Sequence, residues 1–198
     1  MALNPDSRAR FNLDGASVMA VEPHPLGMDI LVEILARFGA KNIHRCQSMM
    51  EAQTTAEKVA LDLIIIDAMA GEGATFLKWL RRSELRPNAH VPAILVSGHT
   101  PTRFVMDSRD CGAHFVMAKP LTPLAVLERI LWVAREGRPS VTSDSYVGPD
   151  RRFHNAGVPA GMTGRRRTDV PLEIGAATMP NLDQSMIDGL LRPQKVHL

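Results

Sequence analysis

The chain has 198 residues, of which 45% are hydrophobic and 22% charged, and its formal net charge is +2. This composition is typical of folded water-soluble domains, and no apolar stretch approaches the roughly 20 residues that a membrane helix needs. We therefore expect neither membrane insertion nor DNA as a partner. Two cysteines are too few for a disulfide framework, and residues 1–14 show no secretory signal, so we expect a cytoplasmic protein.

Changes in composition divide the chain into four parts. Residues 1–16 form a short polar extension without periodicity, and residues 17–138 alternate apolar runs with amphipathic stretches. Residues 139–170 contain several prolines and glycines and few aliphatic side chains, which predicts loop rather than a packed domain. Residues 171–198 contain one short helical pattern at 182–191, with Asn181 as a candidate cap.

Residues 17–138 read as five strand–helix units. The predicted strands are at residues 17–21, 43–46, 61–66, 93–96 and 115–117. Gly39 ends the first helical pattern, Ser48 and Glu51 form a capping box for the second, and Thr122 precedes Pro123 at the start of the last. Strands that alternate with helices predict an α/β fold, with a five-stranded, doubly wound parallel sheet covered on both faces.

Polar side chains end four of the predicted strands: Glu22, Asp67, Ser97 and Lys119. Because ligands bind at the carboxyl ends of the strands in such sheets, we expect these side chains to lie close together. An aspartate can act as a nucleophile toward phosphorus. A lysine and a serine hydroxyl can stabilise the charge that develops, and carboxylates can hold Mg²⁺. The set predicts a phosphoacceptor site centred on Asp67.

The spacing of Glu22, Asp67, Ser97 and the Lys119-Pro120 pair makes residues 17–135 resemble a response-regulator receiver domain of the CheY-like fold. The resemblance implies that Asp67 accepts phosphate from a histidine kinase or a phosphotransfer protein, and that Ser97 and Lys119 contact the phosphate. It also implies a cis Lys119–Pro120 bond. It further implies a signalling protein that is not an enzyme, apart from forming and losing its own acyl phosphate.

The magnesium ligands depart from the pattern of this family. Its members normally end the first strand with two adjacent acidic residues, whereas this chain has Glu22 and Pro23. Proline offers no side-chain ligand, so we expect a weakened Mg²⁺ site formed by Glu22 and Asp67. His24 and Glu72 are candidates to compensate for the missing carboxylate.

The aromatic switch position of the family, three residues before the lysine, is Val116 in this chain. The neighbouring Phe115 is expected to face the opposite side of the strand. Both departures put the usual phosphorylation switch in question. The seven histidines show no metal-binding spacing, and we expect them at the surface or in loops.

The segment after the predicted receiver domain contains two arginine clusters. Residues 139–170 hold five arginines and no lysine, which favours planar, bidentate recognition over a purely electrostatic role. Arginine pairs with O6 and N7 of guanine, aromatic rings such as Phe153 stack on bases, and a carboxylate can accept from guanine N1 and N2. The predicted nucleotide-binding residues are Arg151, Arg152, Arg165, Arg166, Arg167, Asp169 and Tyr146.

A ligand with two guanines and two phosphates, cyclic di-GMP, matches this segment. The spacing of Arg166 and Asp169 resembles a recurring cyclic di-GMP recognition motif. A receiver followed by an arginine-rich extension of the GPDRR type resembles the Cle group, the CheY-like cyclic di-GMP effectors of alphaproteobacteria. This resemblance implies action by protein–protein interaction, for example on a flagellar motor or on surface attachment.

Three interpretations therefore compete. The first is a cyclic di-GMP effector without a DNA-binding output domain, whose arginine segment becomes ordered on binding. The second is a single-domain phosphoacceptor in a phosphorelay, which uses Asp67 and carries a disordered tail. The third is an adaptor whose basic tail binds an acidic protein or RNA, which predicts a steep salt dependence.

Overall fold

The structure is a computed structural model that describes residues 12–68, 72–135, 138–150 and 183–191. Its first part alternates strands and helices, as the sequence predicts. The strands are β1 (Ser17–Val21), β2 (Asn42–Cys46), β3 (Leu63–Asp67), β4 (Ala93–Ser97) and β5 (Phe115–Ala118). The helices are α1 (Pro25–Arg37), α2 (Met49–Lys58), α3 (Glu72–Arg82), α4 (Thr102–Asp110) and α5 (Pro123–Arg135).

The five strands form one parallel sheet in the order β2-β1-β3-β4-β5, which confirms the predicted α/β fold. Every residue of β4 is buried, as are the first four residues of β3, because continuous apolar runs suit strands covered on both faces. In the register of the sheet, Asp67 lies beside Val96, and Ser97 lies beside Ala118. The strands therefore end together at one edge, the carboxyl edge.

The predicted helix boundaries are present. The Ser48 hydroxyl accepts from the Glu51 backbone N–H at 3.2 Å at the start of α2, and the Thr122 hydroxyl accepts from the Ala125 N–H at 3.2 Å at the start of α5. Gly39 follows α1 with φ +86°, a conformation that glycine adopts without strain. These local contacts set where each strand–helix unit turns.

The segment after α5 differs from the prediction of loop. Strands β6 (Ser140–Thr142) and β7 (Val147–Pro149) form an antiparallel hairpin. Tyr146 is buried, and its hydroxyl donates to the Pro149 carbonyl at 2.7 Å. A Cβ on Gly148 would lie 2.9 Å from the Cα of Gly112, so the hairpin packs closely against the loop before β5. Strands of three residues each carry too short an alternation to be recognised from the sequence.

A last helix, α6 (Gln184–Leu191), confirms the helical pattern near the end of the chain. Its cap is Asp183, whose Oδ1 accepts from the Met186 N–H at 2.9 Å; the predicted cap, Asn181, lies outside the described residues. Ile187 is fully buried in the hydrophobic core. Among the helices in the described ranges, none has the length and apolar character needed to cross a membrane.

Candidate functional site

The structure brings three of the four predicted strand-end side chains into contact. Lys119 follows β5, and its Nζ lies 2.8 Å from Oδ2 of Asp67 and 2.5 Å from Oε2 of Glu22. Asp67 is the last residue of β3, and Glu22 follows β1. The lysine therefore bridges two carboxylates across the middle of the carboxyl edge. We call Glu22, Asp67 and Lys119 the charge triad.

The three side chains of the charge triad differ in solvent exposure. The side chain of Glu22 is 5% exposed, that of Asp67 15% and that of Lys119 31%. Glu22 thus forms the floor of the site, and Asp67 and Lys119 open toward solvent. A molecule that approaches from solvent would meet the carboxylate of Asp67 with a cation beside it.

Two opposing effects act on the pKa of Lys119. Burial lowers it, but the hydrogen bonds and negative charges of Asp67 and Glu22 outweigh burial and raise the pKa above its ordinary value. The lysine therefore stays protonated at neutral pH. Two carboxylates face one ammonium group, so the charge triad keeps one excess negative charge.

Glu22 is held by the chain around it. Its Oε1 accepts from the His24 backbone N–H at 3.1 Å, and its own N–H donates to the Cys46 carbonyl at 3.0 Å. Gly27 leaves room for the carboxyl group, since a Cβ there would lie 2.8 Å from Cδ of Glu22. Gly27 could not be recognised from the sequence, because its role depends on how closely α1 approaches the end of β1.

Ser97 lies at the carboxyl edge as predicted, but its hydroxyl bonds within its own loop. The Oγ donates to the His99 carbonyl at 2.8 Å and accepts from the His99 N–H at 3.1 Å. The side chain is also buried. Contact with a phosphoryl group on Asp67 would require this hydroxyl to rotate away from His99.

Among the described residues, the donor set around the charge triad does not fit a magnesium ion. Mg²⁺ demands near-octahedral oxygen coordination, and Pro23 supplies no side-chain oxygen. The ammonium of Lys119 lies between the carboxylates of Glu22 and Asp67. Within residues 12–68, 72–135, 138–150 and 183–191, no group of three or more His, Cys, Asp or Glu side chains is placed to hold a metal. His24 contributes its backbone N–H to Glu22.

The end of β5 agrees with one implication of the family resemblance. The Lys119–Pro120 peptide bond is cis. The ring of Phe115 packs edge-on against Trp132 of α5 at 5.1 Å between centroids, with the Arg129 guanidinium 4.9 Å above it. Val116, at the aromatic switch position, is also buried.

A cavity of about 390 Å³ adjoins the charge triad. The start of α6 contributes to its wall, which the sequence analysis did not anticipate. Its lining residues are Gly98, Thr100, Ala118, Lys119, Pro120, Asp183 and Gln184.

The predicted nucleotide-binding residues are mostly outside the described part of the chain. This applies to Arg151, Arg152, Arg165, Arg166, Arg167 and Asp169, and also to Phe153. Tyr146 is described, and its ring is only 5% exposed within the β6–β7 hairpin. In this conformation the ring packs inside the protein and does not offer a face for stacking on a base.

Comparisons with known proteins agree with the fold. Residues 18–131 match the family model described as "Response regulator receiver domain". Similar solved structures include a response regulator from Thermotoga maritima (20% identity, 61% of this chain and 98% of that chain, TM-score 0.54). A CheY-like receiver domain protein from Methanospirillum hungatei has 22% identity over 61% of this chain and 94% of that chain, with a TM-score of 0.54. A chemotaxis response regulator of Vibrio cholerae has 22% identity over 60% of this chain and 98% of that chain, also with a TM-score of 0.54. No curated protein matches the chain.

Proposed function

The chain belongs to the response regulator receiver family, and from this premise we propose that Asp67 is the phosphoryl acceptor through which it receives a signal. The observation that carries the proposal is the position of Lys119, whose ammonium lies 2.8 Å from Asp67 at the solvent-accessible side of the carboxyl edge. A cation placed where negative charge develops lowers the barrier to phosphoryl transfer.

The reaction transfers one phosphoryl group. The donor is the phosphohistidine of a kinase or a phosphotransfer protein, or a small acyl phosphate. A carboxylate oxygen of Asp67 forms the new bond to phosphorus, and the bond from phosphorus to the donor breaks. The leaving imidazole or carboxylate keeps the electron pair. Lys119 then neutralises part of the added negative charge, which draws it away from Glu22. No step is assigned to a metal ion, and turnover of a separate substrate is not part of the proposal.

Labelling with acetyl phosphate tests this assignment. The full chain is incubated with acetyl phosphate, with and without Mg²⁺, and the modified residue is located by peptide mass mapping. We expect one phosphoryl group on Asp67 that is absent from Asp67→Asn. Asp62→Asn is the matched control, because Asp62 precedes the same strand and accepts from Ser17 at the opposite edge of the sheet. A folded chain that takes up no phosphoryl group under either condition would overturn the proposal.

A second candidate function is binding of cyclic di-GMP by the arginine segment, and we propose it on two grounds. The first is its composition, with five arginines and no lysine in residues 139–170. The second is that elements on both sides of the segment pack on the receiver domain: the β6–β7 hairpin before it and α6 after it. Fixing both ends of a segment lowers the entropy that a ligand must overcome to order it.

This second function is an effector role in the cytoplasm, with output through protein–protein contact, for example with a flagellar motor component. Calorimetric titration of cyclic di-GMP into the full chain tests the binding step, with GTP and cyclic GMP as control ligands. We expect micromolar or tighter binding that is lost when Arg166, Arg167 and Asp169 are changed to alanine.

The matched control for that triple variant is Arg103→Ala with Asp107→Ala, an exposed pair on α4 that also removes charges of both signs. Absence of heat at high ligand excess, with the protein folded, would contradict cyclic di-GMP binding. Steeply salt-dependent binding of polyanions with no preference for guanine would instead favour the adaptor interpretation.

A further inference from the structure

The open edge of β5 is occupied by a side chain from α6. Within the described part of the chain, strand β5 is the last strand of the sheet and has a neighbouring strand, β4, on one side only. On the other side, Gln184 accepts from the Ala118 N–H at 2.9 Å through Oε1 and donates to the Val116 carbonyl at 3.3 Å through Nε2. One amide side chain therefore satisfies the donor and the acceptor that a further strand would satisfy.

The alternation of backbone groups along β5 explains this fit. The Lys119 N–H donates to the Ser97 carbonyl at 2.8 Å, toward β4. The preceding N–H, of Ala118, points to the open side, as does the carbonyl of Val116. Unpaired backbone groups on an edge strand are a template for association with other chains. A primary amide, which carries one acceptor and two donors, reproduces the pairing of a peptide group.

Helix α6 adds an apolar anchor to this polar contact. Ile187, three residues after Gln184, is fully buried in the core, whereas Met186 is 53% exposed. Asp183 caps the helix through the Met186 N–H and lines the cavity beside Lys119. Helix α6 is therefore held at this edge by a polar contact through Gln184 and an apolar contact through Ile187.

We propose that α6 is an exchangeable intramolecular ligand of the open β5 edge, so that any partner that pairs with this edge must first displace it. While α6 is bound, Gln184 occupies the backbone groups of Val116 and Ala118 beside Lys119. The proposal does not depend on phosphorylation of Asp67 or on cyclic di-GMP. Its elements are Gln184 and Ile187 on the helix side and Val116 and Ala118 on the strand side.

Amide hydrogen exchange measured by NMR on the full chain tests the contact at single residues. In Gln184→Ala we expect the Ala118 amide to exchange about tenfold faster, because its hydrogen-bond acceptor is lost. The neighbouring Lys119 amide should keep its protection, which reports that the sheet is intact. Met186→Ala is the matched control on the exposed side of the same helix, and it should change neither amide. Equal exchange of Ala118 in the unchanged chain and in Gln184→Ala would overturn the proposal.

Exchangeability is tested on the full chain with Gln184→Ala and Ile187→Ser combined, which vacates the edge. A peptide copy of residues 182–192, added up to about millimolar concentration, the order at which a covalently linked segment meets its site, should restore slow exchange of Ala118. The same peptide with Gln184→Ala should not. If the first peptide gives no protection, α6 is a fixed part of the fold and the proposal fails.

Discussion

The carboxyl edge of the sheet holds its charged side chains against one another, whereas the amino edge holds its buried polar side chains against the backbone. At the carboxyl edge, Lys119 bridges Glu22 and Asp67. At the amino edge, Asn88 accepts from the Leu61 N–H at 2.8 Å and donates to two carbonyls at the end of α2. Both arrangements bury polar atoms, but their partners differ in kind.

Like Asn88, Arg81 and His114 lie at the amino edge and form hydrogen bonds with backbone groups. Arg81 is buried and donates to the carbonyls of Gly112 at 3.0 Å and Ala89 at 3.1 Å. Desolvation by burial lowers its pKa to about 10. His114 is buried as well, and its Nδ1 accepts from the Ala93 N–H at 3.2 Å. Three polar side chains thus connect the loops that precede β3, β4 and β5.

This difference in partners distinguishes the carboxyl edge, which can rearrange when Asp67 is modified, from the amino edge, which stabilises the fold. Backbone partners are fixed by the fold, so we expect the contacts of the amino edge to persist when Asp67 is modified. The partners in the charge triad are other charged side chains, and these change when a charge is added to Asp67. The account therefore predicts large stability effects at the amino edge and rearrangement at the carboxyl edge.

The largest effect is expected for Asn88→Ala. The substitution leaves the Leu61 N–H and the carbonyls of Ala56 and Val59 buried without their partner. We expect a loss of about 3 kcal/mol in the free energy of unfolding, measured by urea denaturation. Asp67→Asn, at the other edge, should change it by less than about 1 kcal/mol. Equal losses for the two variants would remove the distinction between the edges.

A smaller loss, of about 2 kcal/mol at pH 7, is expected for Lys119→Met, because it removes the cation that lies between the carboxylates of buried Glu22 and nearby Asp67. Lys41→Met is the control, since Lys41 pairs with Asp14 on an exposed surface and should contribute less than about 0.5 kcal/mol. A loss no larger than that of Lys41→Met would argue that the cation of Lys119 does not stabilise the charge triad.

The pH dependence of stability tests His114 at the amino edge. Burial, together with the charges of Arg81 and Arg138, lowers its pKa from 6.5 to about 3. Below pH 6.5 the unfolded chain binds a proton that the folded chain does not. The free energy of unfolding therefore decreases as the pH is lowered from about 6.5 to about 3. The slope approaches about 1.4 kcal/mol per pH unit. His114→Gln should lose this part of the slope, and His90→Gln, at an exposed position, should keep it.

The smallest effect is expected for Tyr146→Phe, which removes only the hydroxyl that donates to Pro149 at 2.7 Å. The free energy of unfolding should fall by about 1 kcal/mol, measured by urea denaturation. Phosphoryl labelling of Asp67 should be unchanged, because the hairpin packs at the amino edge beside Gly112. Reduced labelling in this variant would show that the two edges are coupled.

The sequence predicts the sheet and the charge triad because both depend on periodicity and on strand ends. Apolar runs identify the strands, and the parallel arrangement then brings Glu22, Asp67 and Lys119 to one edge. The hydrogen bonds of Ser97 with His99 could not be predicted, because a hydroxyl can bond to any of several nearby backbone groups and the sequence does not specify which.

The supporting residues escaped prediction for a different reason. Asn88, Arg81 and His114 bond to backbone groups that are distant in sequence, and no spacing rule connects them. The histidines were expected at the surface or in loops; His114 lies in the loop before β5, but its burial there was not foreseen. The role of Gln184 could not be predicted either, because its hydrogen bond with Ala118 of β5 joins residues that are distant in sequence.

The most direct test of this account is to map the NMR amide shifts of the full chain before and after addition of acetyl phosphate. The account predicts shifts at Glu22, Asp67 and Lys119 and in the residues around them. It also predicts unchanged shifts at the amino edge, for which Asn88 and His114 are the reporters. Shifts of equal size at both edges, or none at the charge triad of the folded protein, would contradict it.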